Sequence, residues 1–136
     1  MEEESLHEAF WAVSRRMRDQ AKREMGPWGV APSQFRALNT LLAHGEMRLS
    51  TLAEHLRIAP RSATEVVDDL QQRGLAERHP DPDDRRATLV ALTEQGRTTG
   101  SEIRAARAAA SERLFATLDE SDRATLSRIL RRLASA

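Results

Sequence analysis

Residues 72–96 constrain the fold of this chain more than any other stretch. Gln72-Arg73-Gly74-Leu75 closes a long helical pattern on a glycine, and a short β-type run follows at 75–78. A charged, polar loop at 79–86 holds Pro80 and Pro82, an alternating run follows at 87–92, and Thr93 is placed to cap the next helix. The two prolines are expected to stiffen the loop and to stop the strands pairing further. Helix, strand, loop, strand and helix in this order put a β-hairpin directly behind a helix. Such a pair offers duplex DNA one element for the major groove and one for the minor groove.

Helical signals fill the rest of the chain. Ser5 with Glu8 makes a capping box ahead of an apolar stripe at Leu6, Phe10, Val13, Met17 and Ala21, and Gly26-Pro27 ends that helix. Pro32 suits a first helical position, Phe35, Leu38, Leu41 and Leu42 form a second stripe, and Gly45 suits the position after the last turn. Ser50 can cap a short helix bearing Leu52, Ala53 and Leu56; Ser50 and Thr51 can equally donate to a phosphate. After a break at Ile58-Ala59, Pro60 opens another helix, and two helices joined so tightly read as helix-turn-helix. In that second helix Ala63, Val66, Val67 and Leu70 recur at core spacing, which turns Arg61, Ser62, Thr64, Glu65, Asp68 and Asp69 outward. A long helix with Ile103, Ala106, Ala110, Leu114 and Leu118 follows, and Asp119 with Asp122 opens a last one with Leu126, Ile129, Leu130 and Leu133.

At 136 residues the chain is one domain in size. Its 21 basic and 21 acidic residues cancel, so any affinity for nucleic acid must come from a few placed cations with the acids turned elsewhere. No segment is a basic block: residues 1–47 carry 6 basic and 7 acidic groups, 48–97 carry 8 and 9, and 98–136 carry 7 and 5. Every basic residue but Lys22 is arginine, which suits bidentate contacts to phosphate or guanine, although an arginine-rich codon bias would leave the same mark. The absence of cysteine excludes disulfides, thiolate metal sites and thiol redox sensing. No long apolar run and no charged-then-apolar leader is present, so a cytoplasmic protein without membrane attachment is expected.

Asp84-x-Arg86 followed by Leu92-Thr93-x-x-Gly96, and preceded by Leu75-Ala76-Glu77-Arg78, resembles the MarR family of bacterial transcription regulators. The likeness runs from about Leu6 to Leu133. It implies a mainly α fold with a small antiparallel β-hairpin: a single domain over 1–136, a winged helix-turn-helix core at 31–92, and dimerisation helices at 5–26 and 97–134. It implies a homodimer on double-stranded DNA, acting as a repressor on a pseudo-palindromic operator with half-sites roughly 34 Å apart. Pro60, Arg61, Ser62, Thr64 and Glu65 then lie where base edges and phosphates are read, with Arg61 the candidate for guanine. Glu65 and Asp69 stand where many relatives carry a basic residue. Arg86 matches the family's wing arginine, Arg85 is a candidate phosphate contact and Asp84 a brace, and spacing alone leaves open which arginine enters the minor groove. Members commonly bind small aromatic or lipophilic anions between the dimer helices and the reading head. Trp11, Arg15, Met17 and Trp28 are the candidates here, against the plainer readings of dimer core for the first helix and a helix-junction plug for Trp28.

Other chemistry finds little support. His79, Asp81, Asp83 and Asp84 lack the turn glycine and distal glutamate of a calcium loop, and the four histidines show no metal-ligand spacing. No nucleophile has a base and an orienting group beside it, so neither an enzyme nor a cofactor is expected. The competing class is a protein-interaction or anti-repressor module that kept this fold and lost DNA affinity, a reading favoured by the zero net charge.

Overall fold

The computed structural model describes residues 5–136. Helix α1 spans Leu6–Met25 and begins on the expected box, with the Glu8 amide donating to Ser5 Oγ at 3.1 Å and the Ser5 amide donating back to Glu8. A 3-10 turn at Gly26–Trp28 leads into α2, Pro32–His44, where Gln34 Oε1 accepts from the Ala31 amide. Strand β1 (Met47–Arg48) runs straight into α3 (Leu49–Leu56), followed by α4 (Pro60–Gln72), β2 (Ala76–Asp81), β3 (Asp84–Leu92), α5 (Glu94–Phe115) and α6 (Glu120–Ala134). The sheet is antiparallel in the order β1-β3-β2.

The core lies where α2, α3, α4, the sheet and the middle of α5 converge. Leu38, Leu52, Val67, Leu70, Val90 and Ile103 have no solvent exposure, and Phe35, Leu41 and Leu56 pack around them. Burying each such side chain contributes about 1.5–3 kcal/mol. As spaced in the sequence, Ala63, Val67 and Leu70 face this core, with Val66 packed at its edge.

Thr93 joins the wing to α5 by two bonds. Its hydroxyl accepts from the Gly96 amide at 3.0 Å and donates to Gly74 O at 2.6 Å, so one side chain caps α5 and holds the end of α4. Gly74 has φ 74°, the left-handed turn that lets the chain leave α4 for β2. Gly96 is buried against Leu75, and a Cβ there would lie 1.9 Å from Leu75 O.

Three expectations need correction. The hairpin is longer than the prolines suggested: His79 pairs with Leu89 and Pro80 with Thr88, so only Pro82 and Asp83 remain as the loop. Pro80 is tolerated because β2 is an edge strand, and a register shift follows at Pro80/Asp81. Asp84, Arg85 and Arg86 therefore stand on β3 rather than on a loop. Ser50 does not cap α3, because the helix starts one residue earlier with Arg48 as its N-cap and no side-chain cap bond. Strand β1 was not foreseen.

The terminal helices are a different matter from the core. No residue of α6 is buried, and Ile129, Leu130 and Leu133 are exposed. On α1, Leu6, Phe10, Trp11, Val13 and Met17 are exposed as well, so much of both apolar stripes is left uncovered among the described residues.

Candidate nucleic-acid interface

Helices α3 and α4 both begin without a side-chain cap, which leaves the amides of their first turns open to an acceptor from outside. With the positive ends of two helix dipoles behind them, these amides suit a phosphate, and they include those of Ser50, Thr51, Arg61 and Ser62. Pro60, at the first position of α4, has no amide to offer.

Between these helix ends and the wing runs a groove of about 360 Å³ lined by Ser50, Pro60, Thr64, Asp84 and Arg86, together with Arg48. Five of the expected site residues thus meet in one place. Thr64 is half-buried, its hydroxyl donating to Pro60 O at 3.0 Å. Arg61, Ser62 and Glu65 are exposed on the outer face of α4 and do not line the groove, and Thr51 is half-buried in the first turn of α3. Arg85 and Arg86 are both exposed, but alternation along β3 sends them to opposite faces, and Arg86 is the one that lines the groove. Asp84 braces Arg86 through the backbone: its Oδ1 accepts from the Arg86 amide at 3.0 Å, and no ion pair joins the two side chains among the described residues.

The acids near this surface are mostly engaged elsewhere. Asp68 accepts from Arg78 of β2 at 2.6 Å, and the same guanidinium reaches Gln71 and Thr64 O, so Arg78 rivets the wing to α4. Asp69 faces Gln34 of α2 at 3.5 Å. Asp81 is 7% exposed and accepts from Arg48 Nε at 2.8 Å and from the Asp83 amide at 2.9 Å. Glu65 alone among the acids of α4 keeps an exposed carboxylate with no partner among the described residues. A neutral chain therefore still presents Arg61, Arg85 and Arg86 outward.

Arg48 and Asp81 went unforeseen as a pair because they lie 33 residues apart on strands that only the fold joins. The amide of Asp83, reinforced by Arg48, holds the Asp81 carboxyl below its usual range, with partial burial opposing the shift. A depressed folded pKa stabilises the wing above the unfolded value of about 3.9 and loses that contribution as pH falls through the folded one. Asp81→Asn should accordingly be less stable than the parent at neutral pH, with the gap closing below about pH 4. Urea unfolding of both proteins across that range would test this; a gap independent of pH would remove the charge pair from the account.

The expected ligand residues do not share a pocket within one chain. Trp11 and Arg15 flank a shallow depression with His7 and Glu8, whereas Trp28 donates to Glu102 of α5 at 3.1 Å and packs against the core, as a junction plug would. Met17 lines a separate cleft of about 280 Å³ between α1, α2 and α5. Met25 and Phe35 form its apolar part, and Arg18, Lys22, Arg36 and Arg107 its basic part, with Arg107 stacked over Phe35 at 4.6 Å. No carboxylate lines it. His44 and His55, distant in sequence, stack at 4.6 Å, yet no group of three metal-ligating side chains occurs among the described residues. Nor is any helix there long and apolar enough to cross a membrane.

Comparison with known proteins accords with this geometry. The MarR family model matches residues 30–88, which span α2 to the outer part of β3. The chain is 30% identical to the HTH-type transcriptional repressor MdtR of Bacillus subtilis, over 92% of this chain and 81% of that one. It is 30% identical to the HTH-type transcriptional regulator MhqR of the same organism, over 98% and 93%. The crystal structure of YusO from Bacillus subtilis superposes with a TM-score of 0.82 at 29% identity, covering 94% of this chain and 91% of that one. The chain belongs to the MarR family of DNA-binding, non-enzymatic transcription regulators.

Proposed function

We propose that this protein is a homodimeric, cytoplasmic repressor that reads a pseudo-palindromic operator in double-stranded DNA and releases it when a small aromatic or lipophilic anion binds. The observation that carries the reading is the groove where the open ends of α3 and α4 face Arg86. Phosphates would sit on the helix ends, Arg61 would reach base edges from the first turn of α4, and Arg86 would enter the narrow, negative minor groove. The unpartnered stripes of α1 and α6 support a two-fold dimer, which sets two heads on one face of the duplex. The acid-free cleft between α1, α2 and α5 supports an anionic, apolar effector. The name of MdtR as a repressor supports the sign of regulation. The pairing of Asp68, Asp69 and Asp81 with other side chains favours this reading over a module without DNA affinity.

Fluorescence anisotropy tests the reading, with a labelled fragment of the gene's own upstream region titrated at several salt concentrations against unrelated DNA. Binding should exceed the control by about 10³-fold or more and fall steeply with salt. Weak, salt-insensitive binding to every duplex, including sequences selected from random pools, would rule out a DNA reader. Arg86→Ala should weaken operator binding by about 1–3 kcal/mol with helical content unchanged. A folded variant with full affinity would remove Arg86 from the minor groove.

A further inference from the structure

Arg36 belongs to two places at once. It lines the cleft between α1, α2 and α5, and its Nη2 donates to Leu56 O at the carboxyl end of α3 at 2.8 Å. Leu56 O is one of the terminal carbonyls that a helix cannot satisfy itself, and Arg36 is its partner among the described residues. Immediately after it comes Arg57, the one described non-glycine residue with positive φ, at 55°, and then the turn that aims α4. A non-glycine residue holds that conformation only when its surroundings impose it. The bond from Arg36 is one such constraint, and it starts at the cleft.

We infer that Arg36 is the positioning residue through which an anion in the cleft acts on the reading helix, an inference that rests on the effector reading above. A carboxylate forms a charge-assisted, bidentate pair with a guanidinium that a neutral carbonyl cannot match. No acid competes for it: Arg36 has no ion-pair partner among the described residues, and no carboxylate lines the cleft. An anion therefore draws Arg36 off Leu56 O and removes one tie on the Arg57 turn, leaving only the backbone bonds from Arg57 to Glu54 O and from Ile58 to Ala53 O to hold it, so that α4 is set less firmly against the wing. The side-chain bond from α2 to α4, Gln34 to Asp69, lies outside the cleft lining and stays in place. The device therefore acts on the α3–α4 turn rather than on the whole head.

The test uses the full-length protein, 2-naphthoate as an aromatic carboxylate probe, and a selected operator duplex. In the parent, saturating 2-naphthoate should lower operator affinity about 5- to 150-fold, and operator should lower 2-naphthoate affinity by the same factor. Arg36→Met should still bind 2-naphthoate at higher concentration through the remaining basic groups. Its operator affinity should already be low and should no longer respond to the probe. Arg36→Lys, which can still donate to Leu56 O and still be drawn off, should keep part of the response. In the parent alone, the amide resonances of Arg57 and Ile58 should move on adding 2-naphthoate, a readout that holds even if Arg36→Met fails to fold. Undiminished coupling in both variants would overturn the inference and leave the effector cleft standing, as would 2-naphthoate that binds the parent without affecting operator. Failure of 2-naphthoate to bind the parent at all would bring down both.

Discussion

Leu130→Glu combined with Leu133→Glu should turn the protein into a folded monomer whose operator affinity is lower by about 10²–10⁴-fold, the loss expected when two linked reading heads become independent. Leu130 and Leu133 are 40% and 65% exposed and lie outside the core cluster, although Leu130 also lines a cleft with Phe115, Leu118 and Leu126 of its own chain. In the proposed dimer each leucine contributes about 1.5–3 kcal/mol on burial, and each occurs twice. Two buried, unpaired carboxylates per chain would add to that loss. Sedimentation velocity should show one species at the mass of a single chain, with an unchanged helical circular dichroism spectrum. A monomer that still binds the full operator as tightly as the parent would show that one head suffices.

Gly96→Ala is expected to cost about 3 kcal/mol of folding stability, at the upper end for overpacking, and to lower Tm by about 10 °C. The new methyl would stand 1.9 Å from Leu75 O and 2.9 Å from Leu75 C, so backbone rather than a yielding side chain must move. Any shift also strains the bonds by which Thr93 holds Gly74 and the start of α5. Gly100, where a Cβ would meet Leu42 Cδ1 at 2.7 Å, is a useful control because a side chain can swing aside there. Scanning calorimetry of the two alanine variants should rank Gly96 well above Gly100. Equal shifts would mean that the α5 approach to Leu75 is soft.

The same close approach explains why Leu92-Thr93-x-x-Gly96 was the most legible part of the chain. Thr93 caps a helix through the Gly96 amide three positions later, a local requirement that leaves a fixed letter, and the same two residues also meet Gly74 and Leu75 across the wing. The helices were readable for the same reason, since Ser5, Pro32, Gly45, Pro60, Thr93 and Asp119 mark their ends and the apolar spacing marks their faces. What escaped were bonds between distant segments. Arg48 with Asp81, Arg78 with Asp68, and Arg36 with Leu56 join positions separated by 33, 10 and 20 residues, and an arginine carries no mark of which acceptor it will find. The hairpin is longer than its prolines suggest because Pro80 removes only one backbone donor, a loss that an edge strand tolerates. The expected ligand residues do not share one cleft within the chain, since Met17 lines the cleft between α1, α2 and α5 whereas Trp28 bonds to Glu102 outside its lining.

Under the proposed dimer, the exposed face of α6 also ties the regulator to its own abundance. In the proposed dimer a second copy covers this stripe, so the two-headed form is a mass-action product whose amount, at concentrations below dimer dissociation, rises with the square of the chain's concentration. Promoter occupancy would then respond more sharply than linearly to synthesis and dilution. A cell carrying this gene would gain a threshold in repression from a helix that buries nothing of its own.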